Sequence, residues 1–175
     1  MRTHAKAALL LGLLVLVASA LLAQGDTAQS GSYVGRWKLN TQKSDFGKMP
    51  GPKSATLVVS EDTTDKVKWR MTGVDGQGKK IDESYDGPAD GTEHPIMGSG
   101  MAQAVAYTRS ADKSVEANVK MKDGSTAHEA ITLSDDNNTM MLKGTASGPN
   151  GDSNWTEVFD RAGGGKKMKT AANKK

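Results

Sequence analysis

Residues 33–39 read YVGRWKL, and this stretch decides the fold class. Its odd positions are apolar or glycine, and two of its three even positions are basic. Alternation with a period of two is typical of a β-strand that turns one face towards a core and the other towards water. Residues 67–71 (VKWRM) and 115–121 (VEANVKM) repeat the pattern without a break. We therefore predict an all-β protein.

Six weaker runs with the same alternation complete a set of nine predicted strands. They are residues 55–59, 80–85, 104–109, 127–133, 139–145 and 154–160. Turn-forming sequences separate several of them, and these are 76–78 (GQG), 123–124 (DG), 135–138 (DDNN) and 148–151 (GPNG). Short strands joined by tight turns favour an antiparallel meander, and one-sided alternation favours its closure into a barrel of about 8–10 strands. The longer connection, 43–53, is where we expect a short helix or a lid.

The two ends of the chain differ from the part between them. Residues 1–23 are predicted to be a signal peptide, with a basic start, an apolar stretch at 7–17, and cleavage after Ala20 or Ala23. The apolar run is shorter than the roughly 20 residues that a spanning helix needs, so we expect no membrane span after cleavage. Residues 162–175 hold five lysines and no acidic residue, and we expect a disordered tail. The predicted barrel domain is 24–161, in the periplasm or outside the cell.

The charge distribution argues against a nucleic-acid-binding surface. The whole chain has 23 basic and 20 acidic residues, a net charge of +3. The leader carries two of the basic residues and the tail five, which leaves 16 basic and 20 acidic residues, a net charge of −4, for 24–161. The basic character therefore belongs to the ends, and we expect no nucleic-acid partner. Cysteine is absent, so no disulfide supports the domain. We expect a monomer.

The first strand resembles a known signature. Tyr33-x-Gly35-x-Trp37-x-Leu39 is similar to the first strand of lipocalins and of the wider calycin barrels. That resemblance implies that Gly35 lets the strand bend at the closed end, that Trp37 plugs this end, and that Arg161 of the last strand lies across the indole. Residues 37–46 (WKLNTQKSDF) also resemble the opening of a group of exported bacterial proteins of unknown function.

Catalytic chemistry finds little support in the sequence. After the leader the chain has two histidines, His94 and His128, and no Gly-x-Ser-x-Gly elbow. Glu83 and Glu129 each share a strand face with apolar neighbours, and a buried carboxylate pair could perform acid–base chemistry. The alternative, which we prefer, is that each glutamate pairs with an arginine or lysine or is turned outward by a bulge. We expect no enzyme activity and no cofactor.

Methionine raises the possibility of a soft-metal site. His94, Met97 and Met101 group possible Cu(I) ligands in one loop-like segment, and Met140-Met141 adds two more. The alternative is that methionine fills gaps in the core. Met71, Met121 and Met140 lie at inward positions of the alternation, which favours the second interpretation. Copper binding remains an alternative function, and we expect no metal site.

A barrel with few bulky residues predicts unfilled interior volume. Leu, Ile, Val and Phe are sparse, and barrels of this size can hold one small ligand. We place five residues on the ligand-binding wall: Trp69, Met71, Tyr85, Tyr107 and Met121. The leading hypothesis is therefore non-catalytic binding of a small, mostly apolar molecule. An envelope or adhesion module without a ligand is the other alternative.

Overall fold

A computed structural model of the chain describes residues 32–110, 114–149 and 151–163. The predicted leader lies outside these residues, as does the predicted tail apart from its first two positions. In the described part of the chain every regular element is a strand. The strands are β1 Gly35–Leu39, β2 Ser54–Asp62, β3 Lys66–Val74, β4 Lys80–Pro88, β5 His94–Pro95, β6 Met97–Gly98, β7 Ala102–Arg109, β8 Val115–Met121, β9 Thr126–Leu133, β10 Thr139–Ser147 and β11 Ser153–Arg161. Each of the nine predicted strands corresponds to one of them.

The strands form one antiparallel sheet that nearly closes on itself. Its order is β5-β7-β8-β9-β10-β11-β1-β2-β3-β4-β6. The two outermost strands, β5 and β6, follow one another in sequence and are separated only by Ile96. One segment therefore pairs with β7 through His94 and Pro95 and with β4 through Met97 and Gly98. This segment joins the two sides of the barrel. Its two strands of two residues each are too short to show alternation, and they were not predicted from the sequence.

In the register of the sheet, every second residue of a strand points into the barrel. Odd positions point inward on β3, β4, β8, β9 and β11, and even positions point inward on β10. Buried apolar side chains from all the long strands form one core cluster. The predicted tight turns are confirmed, because strands meet on either side of all four turn sequences. The alternation therefore identified both the strands and the direction of their side chains.

Trp37 and Arg161 form a clasp at the start of β1. Trp37 is fully buried, and its indole N–H donates to the Tyr33 carbonyl at 2.8 Å. The Arg161 guanidinium carbon lies 4.0 Å from the centroid of the Trp37 ring, within the range of a cation–π interaction. Gly35 has φ +149°, and a side chain there would collide with the Arg161 guanidinium. Only glycine combines this backbone angle with that contact.

The backbone of the surrounding loops fixes Arg161 in place. Its guanidinium donates to the carbonyls of Ser32, Val34 and Asn137 at 2.8, 2.8 and 2.7 Å. Burial lowers the pKa of Arg161 from its usual value, although the pKa of a guanidinium is high enough to keep it charged. The clasp thus ties the first strand, the last strand and the β9–β10 turn together.

The connection from β1 to β2 differs from its prediction. Residues 43–53 contain turns and a single bridge between Asp45 and Thr156, and no helix. Phe46 packs against the core cluster from this connection. A side chain at Gly51 would overlap the Phe46 ring, so this glycine leaves room for the ring. No helix in the described ranges is long and apolar enough to cross a membrane.

Candidate binding site in the barrel interior

Three of the predicted wall residues form one aromatic group. The Trp69 indole N–H donates to the Tyr107 hydroxyl at 2.8 Å, which links β3 to β7. The Tyr85 ring lies between them, 6.4 Å from Trp69 in a stacked arrangement and 5.2 Å from Tyr107 edge-on. The Tyr85 hydroxyl donates to the Pro88 carbonyl at 2.6 Å. These contacts hold three rings in a fixed arrangement inside the barrel.

The two predicted methionines also point inward, but from different places. Met71 lies on β3 opposite Leu57 and Glu83. Met121 ends β8 opposite Ala102. Both are half-buried and pack against the core cluster. Met71 therefore adjoins the aromatic group along its own strand, and Met121 pairs with Ala102, whose amide donates to Glu83.

A fourth aromatic residue, Trp155, was not predicted as part of the wall. It points inward from β11 opposite Gly144, and its indole ring lies directly on the Cα of that glycine. A side chain at position 144 would overlap the ring, so the glycine is needed to let the indole lie flat. On the other side of Gly144 is Glu129 of β9. The ring therefore extends along the wall towards Glu129.

Three carboxyl groups face the same interior. Glu83 on β4 is 6% exposed and accepts a hydrogen bond from the Ala102 amide at 3.3 Å. Glu129 on β9 and Glu157 on β11 are half-buried and flank β10. Among the described residues, none of the three forms an ion pair with a lysine or arginine. The preferred interpretation of Glu83 and Glu129, as paired or turned outward, is therefore wrong.

Glu157 was missed, although the sequence held a signal for it. It stands between Trp155 and Phe159 at the same parity, and both of these aromatic residues point inward. The rule that placed Glu83 and Glu129 inside also places Glu157 inside. The sequence could not show that Glu157 has no basic partner among the described residues, because such a partner would come from a strand that is distant in sequence.

Enclosure in the barrel shifts the protonation of these groups. Desolvation, followed by the negative charges of Glu157 and Glu83, raises the pKa of Glu129 to about 8. Desolvation alone raises the pKa of Glu157 to about 7. The pKa of Glu83 is also raised by desolvation, against the lowering effects of the Ala102 amide and of Lys122. Burial, then the charge of Glu129, raises the pKa of Tyr107 above its usual value.

Asp62 is an interior acid whose negative charge is compensated by a basic partner. Asp62 on β2 forms an ion pair with Arg109 on β7 and accepts the Tyr33 amide. That pair satisfies its own charge, whereas Glu129 and Glu157 have no hydrogen-bond donor among the residues described. The interior therefore holds more polar side chains than the sequence predicted, and several of these side chains are acidic.

The interior is not completely filled. Inward side chains at the middle of the barrel remain half-buried, which means that a water-sized probe reaches them. These are Leu57, Trp69, Met71, Met121, Glu129, Ile131, Leu142, Trp155 and Glu157. In a close-packed core such side chains would lose nearly all contact with solvent. Space next to aromatic and carboxyl groups is the characteristic of a ligand site.

Comparison with solved structures identifies the architecture. A point mutant of the fluorescent protein UnaG aligns with a TM-score of 0.52 at 18% sequence identity, over 74% of this chain and 96% of that chain. Wild-type UnaG aligns with a TM-score of 0.50 at 17% identity, over 74% and 97%. The fold is a calycin-like β-barrel. At this identity the likeness concerns the fold alone. No protein-family model and no curated protein matches the sequence.

The candidate copper ligands in this calycin-like barrel lie in different environments. Met97 and Met101 are 65% and 57% exposed, while Met140 is buried in the core. The His94 ring nitrogen Nε2 lies 3.1 Å from Asp90 and 2.8 Å from the Thr92 hydroxyl. Within the described ranges no group of three His, Asp or Glu side chains could hold a metal ion. Met71, Met121 and Met140 point inward, as the interpretation of methionine as a core filler predicted.

A separate concavity lies outside the barrel. Its volume is about 310 Å³, and it is lined mainly by exposed polar side chains of β8, β9 and β10, among them Asn118, Lys120, Thr126, His128 and Thr145. His128 is exposed, and its Nε2 lies 3.0 Å from Glu116. The outer concavity has no aromatic lining. The interior is therefore the better candidate site.

Proposed function

We propose that this protein binds a small organic molecule inside its barrel and does not transform it. The observation that carries the proposal is the set of inward side chains that stay half-buried around the aromatic group of Trp69, Tyr85 and Tyr107. Aromatic faces supply most of the contact area in pockets for small molecules, and a few polar groups orient the ligand. Trp155 and the inward carboxyls complete such a set.

The environments of the two histidines support a binding role without catalysis. The hydrogen bonds and ion pairs of His94 reach Asp90 and Thr92, and those of His128 reach Asn118 and Glu116. In the described ranges neither histidine contacts a serine that it could activate. We also propose that the protein acts in the periplasm or outside the cell, which rests on the predicted signal peptide, 1–23.

A titration with a neutral fluorescent probe, phenylnaphthylamine, tests the binding function. We expect saturable binding that is blocked by Ala146→Phe, because Ala146 points into the barrel and a larger side chain would occupy the space. Thr145→Phe is the matched control, since Thr145 is the exposed neighbour on the same strand. The inward variant should weaken binding about tenfold or more, and the outward variant should not.

The same experiment can refute the proposal. Thermal melting of both variants establishes that they fold. If folded Ala146→Phe binds the probe as well as the wild type, the probe does not enter the interior. If the wild type shows no saturable binding, the interior is closed to ligands of this size.

A further inference from the structure

The interior of the barrel combines acidic groups with aromatic faces in one place. Glu129 and Glu157 flank β10, where they face Gly144 and Leu142 respectively. The Trp155 ring covers Gly144 and so lies beside Glu129. This arrangement places two carboxyls and an indole face along the same part of the wall. No equivalent basic group stands near Glu129 or Glu157 in the part of the chain that the structure describes.

Buried polar atoms with unused bonding capacity point into the same space. Tyr107 is 7% exposed, and its hydroxyl accepts from Trp69 while its own proton has no acceptor among the described residues. Glu83 is 6% exposed and satisfies only one oxygen, by the Ala102 amide. Buried polar groups are nearly always bonded, to protein, water or a ligand. The unused capacity of Glu83 is acceptor capacity, which an N–H donor of a ligand would satisfy.

We propose, on the basis of the binding function above, that the ligand is an organic cation: a protonated amine on an apolar body. Its ammonium group donates to the carboxyls of Glu129 and Glu157. Its body contacts the faces of Trp155 and Trp69. Charge-assisted hydrogen bonds are among the stronger polar contacts in proteins, and indole faces attract cations. An anionic ligand, such as a fatty acid, would instead meet uncompensated negative charge.

The protonation state of the interior carboxyls determines the pH range in which a cation binds. The titratable groups that face Glu129 are Glu157 from β11, Glu83 from β4 and Tyr107 from β7. Lys122 acts on Glu83 and is bonded to the carbonyls of Gly98 and Gly100. The strands that flank β9 present Ala117 and Gly144, which do not titrate. Binding of a cation should therefore increase as the carboxyls ionise, and should release protons when they are still neutral.

Three probes with the same fluorophore and the same five-carbon chain test the proposal. Dansylcadaverine ends in an ammonium group, pentyl dansylamide is neutral, and dansylaminohexanoic acid ends in a carboxylate. At pH 9 the amine is still charged, and Glu129 and Glu157, with pKa values of about 8 and about 7, are mostly ionised. We expect dansylcadaverine to bind about tenfold more tightly than the neutral probe, and the carboxylate probe to bind most weakly.

Variants assign the preference to the interior carboxyls. Glu129→Gln combined with Glu157→Gln should lower the affinity for dansylcadaverine to the affinity that the same variant has for the neutral probe. Glu61→Gln is the matched control, since Glu61 points outward and pairs with Lys66. That control should leave the preference intact.

The outcomes separate this inference from the function on which it rests. If the neutral or the carboxylate probe binds as tightly as dansylcadaverine, the interior is a ligand site without cation preference, and the inference is overturned. If the preference survives in the double variant, a surface site causes it, and the inference is again wrong. If no probe binds, including phenylnaphthylamine, the proposed function itself fails.

Discussion

The indole N–H of Trp69 donates to the hydroxyl of Tyr107 at 2.8 Å, from β3 to β7. These strands are not neighbours in the sheet, because β4 and the short strands β5 and β6 lie between them. The bond therefore crosses a part of the interior rather than following the wall. It fixes the aromatic group that the binding function requires. Mutation of either residue can therefore be used to test that function.

Removal of the Tyr107 hydroxyl should destabilise the protein. In Tyr107→Phe the Trp69 N–H loses its acceptor inside the barrel, at a cost of about 1–3 kcal/mol. Urea denaturation measures the change. A double-mutant cycle with Trp69→Phe should show that the two effects are not additive, by about 1 kcal/mol. Additive effects would show that the two groups do not interact in solution.

The clasp of Trp37 and Arg161 should be the more sensitive site for stability. Trp37→Ala removes a fully buried indole and should cost about 3–5 kcal/mol. Trp155→Ala is the comparison, since the Trp155 ring is only half-buried and its removal should cost less. Thermal denaturation of the two variants gives the order. Melting curves of Trp37→Ala and wild type that coincide would contradict the structural role of the clasp.

The Trp155 ring should keep its position only if residue 144 has no side chain. Gly144→Ala places a methyl group where the indole lies, and overpacking of this kind costs about 1–3 kcal/mol. The same substitution in a Trp155→Ala background should cost much less, because the overlap is gone. Urea denaturation of the four proteins tests this. An equal cost in both backgrounds would mean that the ring does not lie on the glycine.

Stability should fall as the pH rises through the neutral range. The folded-state pKa values of Glu129, about 8, and of Glu157, about 7, lie above the usual value of 4.5. Between these pH values the folded protein therefore retains protons that the unfolded chain releases. The stability that each carboxyl contributes is fully present below pH 4.5, and it is lost as the pH rises through the folded-state pKa. We expect the melting temperature to fall by roughly 5 °C or more between pH 5 and pH 9.

The double variant Glu129→Gln with Glu157→Gln should remove most of this slope, and Glu61→Gln should keep it. The aspartates with pKa values of about 2, Asp90 and Asp136, complete their titration below this window and do not interfere. A wild-type melting temperature that is constant or rises from pH 5 to pH 9 would show that the carboxyls are solvated in the folded state.

The sequence predicted the wall of the barrel well, because a strand with one dry face must alternate. The same rule placed Trp69, Tyr85 and Tyr107 inside, and the structure brings them into contact. The closing segment, β5 and β6, was not predicted, since two-residue strands are too short for a period. The short helix that was one expectation for 43–53 was wrong, because that connection consists of turns and is anchored by Phe46.

The candidate site was predicted only in its apolar half. The position of each glutamate follows from parity, but whether a buried carboxyl has a partner depends on strands that are distant in sequence. Asp62 has Arg109, while Glu129 and Glu157 have no such base among the described residues. A count of charges cannot distinguish these two situations. The acidic character of the interior therefore became visible only in the structure.

The most direct test uses the three tryptophans of the chain, Trp37, Trp69 and Trp155, as reporters. Each indole N–H gives one signal in a proton–nitrogen correlation spectrum, and Trp37 is sealed in the clasp. Titration with the tightest of the dansyl probes should shift the Trp69 and Trp155 signals with one common saturation curve and leave Trp37 unmoved. Indole signals that all stay fixed, while the amides of Asn118, Thr126 and His128 shift, would place the ligand outside the barrel and contradict the account.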